Sequence, residues 1–287
     1  MTPPAPPVRP AVRVTVAQLQ VSDDHAANVE VGRRAFGTAA DARADLLVLP
    51  EYASGFDRRG TGPEHAEPLT GPFVTMLRAE AARTGVAVIA GTTLPGTGAG
   101  SQAEEARGER ATHAVNALVL VDGAGELAGT YHKVHLYDAF GHRESDRLEP
   151  GDPAAPVPVL DVAGLHFGVL TCYDLRFPES ARRAVDAGAE VLVVPAAWAA
   201  GPLKDLHWRT LVLARAIENT VAVVAVGQAG AGVTGRSLVV GPDGQVGLEL
   251  DERPGIRTVD LDPDALVTVR RQNPSLEHRR YTVVPRD

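Results

Sequence analysis

Short runs of β-branched and aliphatic residues alternate along this chain with longer stretches in which apolar positions recur every three or four residues. "VRVTVAQLQV" (12–21), "DLLVLP" (45–50) and "VAVIAGTT" (86–93) have the composition of buried strands. The segments between them, 25–43 and 70–84, have the length and period of helices. The predicted order is β, α, β, α, β. The stretch "HAVNALVLVDGAGELAGTYHKVHL" (113–136) then predicts strands that turn at "DGAGE" without an intervening helix, so the sheet is mixed.

The second half repeats this order. "LHFGVLTCYD" takes the place of the first strand, and a helix over 177–187 follows, with Pro178 in its first turn and Gly188 past its end. "AEVLVVPAAW" then matches "ADLLVLPEYA". The segment "LKDLHWRTLVLARAIENT" (203–220) predicts a helix with an apolar stripe at Leu203, Leu206, Leu213 and Ile217, and it leads into "VAVVAVGQ", the counterpart of "VAVIAGTT". "SLVVGPDGQVGLEL" echoes "ALVLVDGAGELAG". Two copies of a unit this long do not suit a solenoid; they predict an α/β fold of two pseudo-symmetric halves packed as an α-β-β-α sandwich over residues 11–287.

Composition narrows the function classes. With 28 Lys and Arg against 36 Asp and Glu the formal charge is −8, and no basic run would follow a phosphate backbone, so nucleic acid is not an expected partner. One cysteine in 287 residues excludes an internal disulfide. The opening "MTPPAPPVRP" lacks the apolar core of a signal peptide and the length of a membrane span, which leaves a cytoplasmic location and no membrane partner as the expectation. Residues 1–10, rich in proline, and the glycine-rich "GTGAGSQAEEARGER" (96–110) read as flexible segments.

Comparing the halves isolates what they do not share. Where the first reads "VLPEY" the second reads "VVPAA", so Glu51 stands opposite Ala196, at the C-terminal edge of a buried strand where α/β sheets place their sites. A lone cysteine is most often a small buried hydrophobe. Cys172, however, ends an apolar run just before a helix, at the edge equivalent to that of Glu51. In "TYHKVHLYD" an extended chain puts Tyr131, Lys133 and His135 on one face and His132 on the other. That alternation also argues against a metal site built from His132 and His135 with His113, Asp138 or His142, because residues three apart on a strand diverge.

"LPEY", "YHKVHL" and "TCYDLRFPE", in this order, resemble the three signature blocks of the nitrilase superfamily of carbon-nitrogen hydrolases, and the resemblance covers nearly the whole chain. It implies an α-β-β-α sandwich, a homodimer or higher homo-oligomer, and a Glu-Lys-Cys triad at Glu51, Lys133 and Cys172. "RESDRLEPGD" is similar to the family's second glutamate region, which makes Glu144 a supporting carboxylate. "CYDLRFPE" and "RQNPSLEHRRY" are most similar to the branch of omega-amidases and deaminated-glutathione amidases, which implies a linear amide as the small-molecule substrate, with an N-carbamoyl amino acid as the alternative. A nitrilase, a metal-dependent hydrolase and a non-catalytic binding module are the remaining readings. "HLYDAFGHRES" departs from that branch's wording and puts the acyl specificity in doubt.

This chemistry suits the residue types. A thiol is mostly protonated at neutral pH and needs a base, here Glu51. Lys133 and the backbone N–H of Tyr173 are the expected oxyanion donors, and Trp198 is expected either to line the pocket or to pack in the core. Neither a cofactor nor a metal is implied.

Overall fold

The computed structural model describes residues 9–96 and 113–286. Of the flexible segments expected at 1–10 and 96–110, residues 1–8 and 97–110 lie outside the described residues, whereas Arg9 is held by Glu190 and by the carbonyls of Gly164 and Pro263.

Among the described residues twelve strands form two six-stranded mixed sheets. The first contains β1 (Val12–Gln18), β2 (Leu46–Val48), β3 (Ala87–Pro95), β4 (Ala114–Val121), β5 (Leu127–His132) and β12 (Gly255–Leu261), in the order β12-β1-β2-β3-β4-β5. The second contains β6 (Val159–Val162), β7 (Leu165–Val169), β8 (Val191–Ala196), β9 (Ala222–Gly227), β10 (Leu238–Val240) and β11 (Val246–Glu249), in the order β6-β7-β8-β9-β10-β11. The three strands β1, β2 and β3 are parallel, as are β7, β8 and β9. Antiparallel strands flank both sets, so the two sheets share one pattern of strand order and direction.

Helices α1 (His25–Asp41) and α2 (Pro72–Thr84) cover the outer face of the first sheet. Helices α3 (Pro178–Asp186) and α4 (Lys204–Asn219) belong to the second half, and α5 (Pro263–Gln272) follows β12. Local sequence sets the ends. Asp24 caps α1 by accepting from the Ala27 amide at 3.0 Å, and α2 starts at Pro72 and stops at Gly85, whose φ of 76° suits glycine. Between the sheets, Val14, Val16 and Ile89 meet Phe167, Val193 and Val224, whereas Phe36, Phe73 and Leu77 pack outside the first sheet and Trp208, Val212 and Ala216 outside the second. Apolar contacts on both faces explain why the central strands read as continuous hydrophobic runs.

One sequence expectation reverses. On α4 the apolar stripe points outward: Leu203, Leu206 and Ile217 are 65%, 59% and 52% exposed, and Leu213 is only half-buried. The inward face carries Trp208, Val212 and Ala216 interleaved with Arg215 and Asn219. Arg215 reaches the Leu175 carbonyl through Nε and Nη2 at 3.1 and 2.8 Å, and Asn219 Nδ2 bonds the Arg215 carbonyl at 3.0 Å. Polar side chains that find hydrogen bonds therefore occupy the buried face, although Asn219 Oδ1 is left without a partner, and periodicity of hydrophobicity alone does not mark that face as the buried one.

Candidate active site

Three loops at the C-terminal edges of the parallel strands meet in a cavity of about 410 Å³ lined by Glu51, Glu144, Cys172, Tyr173 and Trp198. Glu51 follows β2 by three residues, and Gly91 lets it pack there: a Cβ on Gly91 would stand 2.5 Å from the Glu51 Cα. The side chain is 1% exposed and accepts three hydrogen bonds, from Lys133 Nζ at 3.0 Å and Asn116 Nδ2 at 2.7 Å on Oε1, and from the Ala197 amide at 2.6 Å on Oε2. Its carbonyl accepts from Gln228 Nε2 at 2.7 Å. This carboxylate is held from both halves of the molecule.

Lys133 lies just past β5 and keeps the strand pairing through its amide, which donates to the Asn116 carbonyl at 2.9 Å. Also 1% exposed, its ammonium contacts Glu51 and both oxygens of Glu144, at 3.0 and 2.8 Å. Burial by itself would lower its pKa, but the Glu144 and Glu51 charges outweigh that and hold it well above the usual lysine range. Lys133 thus bridges the two carboxylates that line the cavity. Glu144 is fixed further by the Tyr52 hydroxyl at 3.1 Å and the Tyr137 amide at 2.7 Å.

Cys172 opens a 3-10 turn, Cys172–Arg176, with φ of 45°. A left-handed conformation at a non-glycine residue costs about 1–3 kcal/mol and persists only where the surroundings impose it. Buried Asp174 imposes it here. It accepts from the Tyr131 hydroxyl at 2.8 Å, from the Thr171 amide at 3.1 Å, and from His135 through both the amide at 3.0 Å and Nδ1 at 2.7 Å, while the His135 ring stacks on Phe177 at 3.7 Å. Burial first, then the Glu51 charge, push the Cys172 thiol well above its ordinary range. A protonated thiol beside a carboxylate is an acid–base pair poised for proton transfer.

The structure therefore brings together Glu51, Lys133, Glu144 and Cys172, and it places Tyr173 one residue into the turn, where the first amides have no acceptor within the turn. Trp198 both borders the cavity and packs in the core: it is buried against Trp208, 5.3 Å between ring centroids, and lies 4.9 Å from the Arg176 guanidinium. Of the histidines, His135 faces inward to Asp174, His142 stacks on Tyr137, and His132 points away. Among the described residues no three His, Cys, Asp or Glu side chains converge as metal ligands would. Sequence reasoning passed over Asn116, Tyr52 and Gln228. Asn116 carried a signal, since it is the one polar residue in "AVNALVLV".

A buried thiol that shares its cavity with two carboxylates joined by one buried ammonium, at the edges of a two-sheet α-β-β-α sandwich, is a residue set suited to a thiol hydrolase. The carbon-nitrogen hydrolase family model matches residues 13–271, and the chain belongs to that family. It is 36% identical over 270 residues to a deaminated glutathione amidase of Escherichia coli O157:H7, covering 93% of this chain and 97% of the relative. A CN-hydrolase superfamily protein of Xanthomonas campestris, solved with an arsenic adduct in its active site, has the same fold with a TM-score of 0.80 at 26% identity, over 96% of this chain and all of that one. An amidase from Nesterenkonia sp. AN1, solved after Michael addition of acrylamide at its active-site cysteine, matches with a TM-score of 0.72 at 28% identity, over 93% and 98% of the two chains.

Proposed function

We propose that this protein is an amidase that hydrolyses a linear amide to carboxylate and ammonia through a thioester on Cys172, with Glu51, Lys133 and Cys172 as the catalytic triad. The observation that carries this reading is the buried Cys172 thiol lining the same cavity as Glu51, whose carboxylate is bonded to Lys133. Glu51 takes the thiol proton as Sγ forms its bond to the amide carbon. Negative charge moves to the carbonyl oxygen, where the Tyr173 N–H and the Lys133 ammonium stabilise it for about 3–4 kcal/mol per well-placed donor. The C–N bond breaks as Glu51 returns its proton to the departing ammonia. A water deprotonated by Glu51 then attacks the thioester, and the thiolate recovers the proton as the acid leaves. Glu144 orients Lys133.

We also read the chain as a cytoplasmic homodimer. The outward stripe of Leu203, Leu206 and Ile217 supports a protein-covered face. The lone free thiol supports a reducing compartment. The reading is tested by measuring ammonia release over linear amides, N-carbamoyl amino acids and nitriles. Amides are expected to be turned over fastest, and a panel led by nitriles or carbamoyl compounds would place the protein in another branch.

A further inference from the structure

Arg215, in the last part of α4, is a buried cation that lies outside the lining of the cavity and has no part in the scheme above. It is 4% exposed. Its Nε and Nη2 both donate to the Leu175 carbonyl, at 3.1 and 2.8 Å, and its Nη1 donates to Glu218 Oε1 at 2.9 Å. Asn219 holds that carboxylate in turn, with Nδ2 3.3 Å from Glu218 Oε1 and 3.0 Å from the Arg215 carbonyl. One rigid guanidinium thus aims two of its donors at a single carbonyl, and its third contact is a braced counter-ion.

Leu175 belongs to the turn that Cys172 opens in a left-handed conformation. Within this turn the Asp174 side chain accepts from the Thr171 amide at 3.1 Å, and the Asp174 amide donates to the Thr171 carbonyl at 2.9 Å. These two bonds close a ring around Cys172 and Tyr173. Tyr131 and His135 tie the ring to the first sheet through Asp174. Arg215 ties the next residue, Leu175, to α4, through one of the late carbonyls that a helical turn leaves without a partner of its own.

Packing α4 against the turn does not call for a cation. The same buried face carries Trp208, Val212 and Ala216, and apolar side chains in place of a buried ion pair are often neutral or stabilising. What an apolar side chain cannot supply is direction. Two converging N–H donors fix where the Leu175 carbonyl points, and with it the peptide plane that ends the turn.

We infer that Arg215 is a positioning residue for the reaction: acting through the Leu175 carbonyl, it holds the turn from behind so that the Cys172 thiol and the Tyr173 N–H keep their places relative to Glu51. This rests on the reading of Cys172 as the nucleophile of an amidase. A displacement of about 1 Å at the reacting atoms, caused far from the chemistry, costs roughly 100-fold in rate. Arg215 works on kcat without touching the substrate.

The test compares Arg215→Met and Arg215→Lys with Val212→Ala, a truncation on the same buried face that leaves the Leu175 carbonyl bonded. In Arg215→Met, assayed well below its melting temperature, kcat for a linear amide should fall by about 10- to 100-fold while KM stays within about threefold. Arg215→Lys keeps the charge and loses the fork, so its kcat should lie between. Val212→Ala reports what lost packing alone does, and its kcat should stay within about twofold of native. Iodoacetamide adds a readout that does not need turnover, because Cys172 is the only thiol and intact mass counts its adduct. Sγ displaces iodide as Glu51 takes the thiol proton, so a displaced turn in Arg215→Met should slow alkylation at neutral pH by about tenfold. A native kcat in Arg215→Met, an equal loss in Val212→Ala, or alkylation as fast as in native protein overturns the proposal. If Arg215→Met does not fold, Arg215→Lys decides by the same two measurements, and native values of both overturn it. Failure of the amidase reading looks different: native protein then releases no ammonia from amides in a Cys172-dependent way, and the alkylation comparison still judges Arg215.

Discussion

Replacing Lys133 by methionine separates its electrostatic work from its bulk. Methionine has a similar length, so packing is nearly kept while one positive charge is removed from between two carboxylates. At an effective dielectric of 20, an ion pair at 2.8–3.0 Å is worth about 5–6 kcal/mol before desolvation, and Lys133 makes one to each carboxylate. Desolvation takes back several kcal/mol per ion, so the intact cluster adds little net stability. Removing the lysine alone leaves one buried and one partly buried carboxylate without their shared counter-ion, which costs about 3–5 kcal/mol.

At roughly 2–4 °C per kcal/mol this lowers the melting temperature by about 6–20 °C, more than expected of a residue that acted only on the oxyanion. Turnover should fall by at least about 10³-fold, combining a lost donor with a misplaced general base. Adding Glu144→Gln to Lys133→Met should restore part of the stability and none of the activity. Calorimetry and ammonia release on the single and double variants give both numbers. A Lys133→Met protein that melts within 2 °C of native, or that keeps a tenth of its activity, would refute this account of the cluster.

Lys133→Arg should not rescue turnover, since a planar guanidinium does not fit an ammonium's place between the carboxylates; activity near native would show that charge alone suffices. With a slow amide, added hydroxylamine should yield a hydroxamate, and Cys172→Ala should abolish hydroxamate and ammonia together; hydroxamate from that variant would exclude a Cys172 thioester. Asn116→Leu, which removes the 2.7 Å donor to Glu51, should lower kcat/KM by roughly 10- to 100-fold, and an unchanged value would mean that the bond does not orient the base.

The folded state holds the Cys172 proton more tightly than the unfolded chain does. That stabilisation is fully present below about pH 8.5 and is lost as pH rises towards the folded value. Urea unfolding at pH 7, 8.5 and 10 should therefore show a steeper alkaline decline in native protein than in Cys172→Ala, and parallel declines would refute the assignment. Lys133, whose pKa is likewise raised, keeps its contribution through this window because the unfolded lysine titrates near pH 10.4.

The sandwich was legible because its central strands are buried on both faces, so "LLVLP", "VLVVP" and "VAVVAV" need no partner to be recognised. The ends of the helix at 178–186 were legible for a similar reason, since Pro178 and Gly188 act at that helix's own termini. Edge strands β6 and β12 were not, because they have mixed burial and gain their identity only by pairing with β7 and β1. Helix α4 was read with its faces exchanged because Arg215 and Asn219 find buried carbonyls that lie far away or on their own helix, which hydrophobicity cannot register.

The site divides along the same line. Glu51 and Cys172 stood out because the comparison of halves exposes a reactive side chain where the scaffold needs none. What the sequence could not show is how these groups constrain one another. Lys133 was expected to point at the substrate, yet its contacts run first to Glu51 and Glu144, a relation that joins residues 82 and 11 positions away in the chain. The left-handed turn at Cys172 depends in the same way on Asp174 collecting Tyr131 and His135 from another strand's end. Each reactive group is therefore fixed by a partner from a different segment, and the chemistry of the cavity is a property of the folded arrangement more than of any one motif.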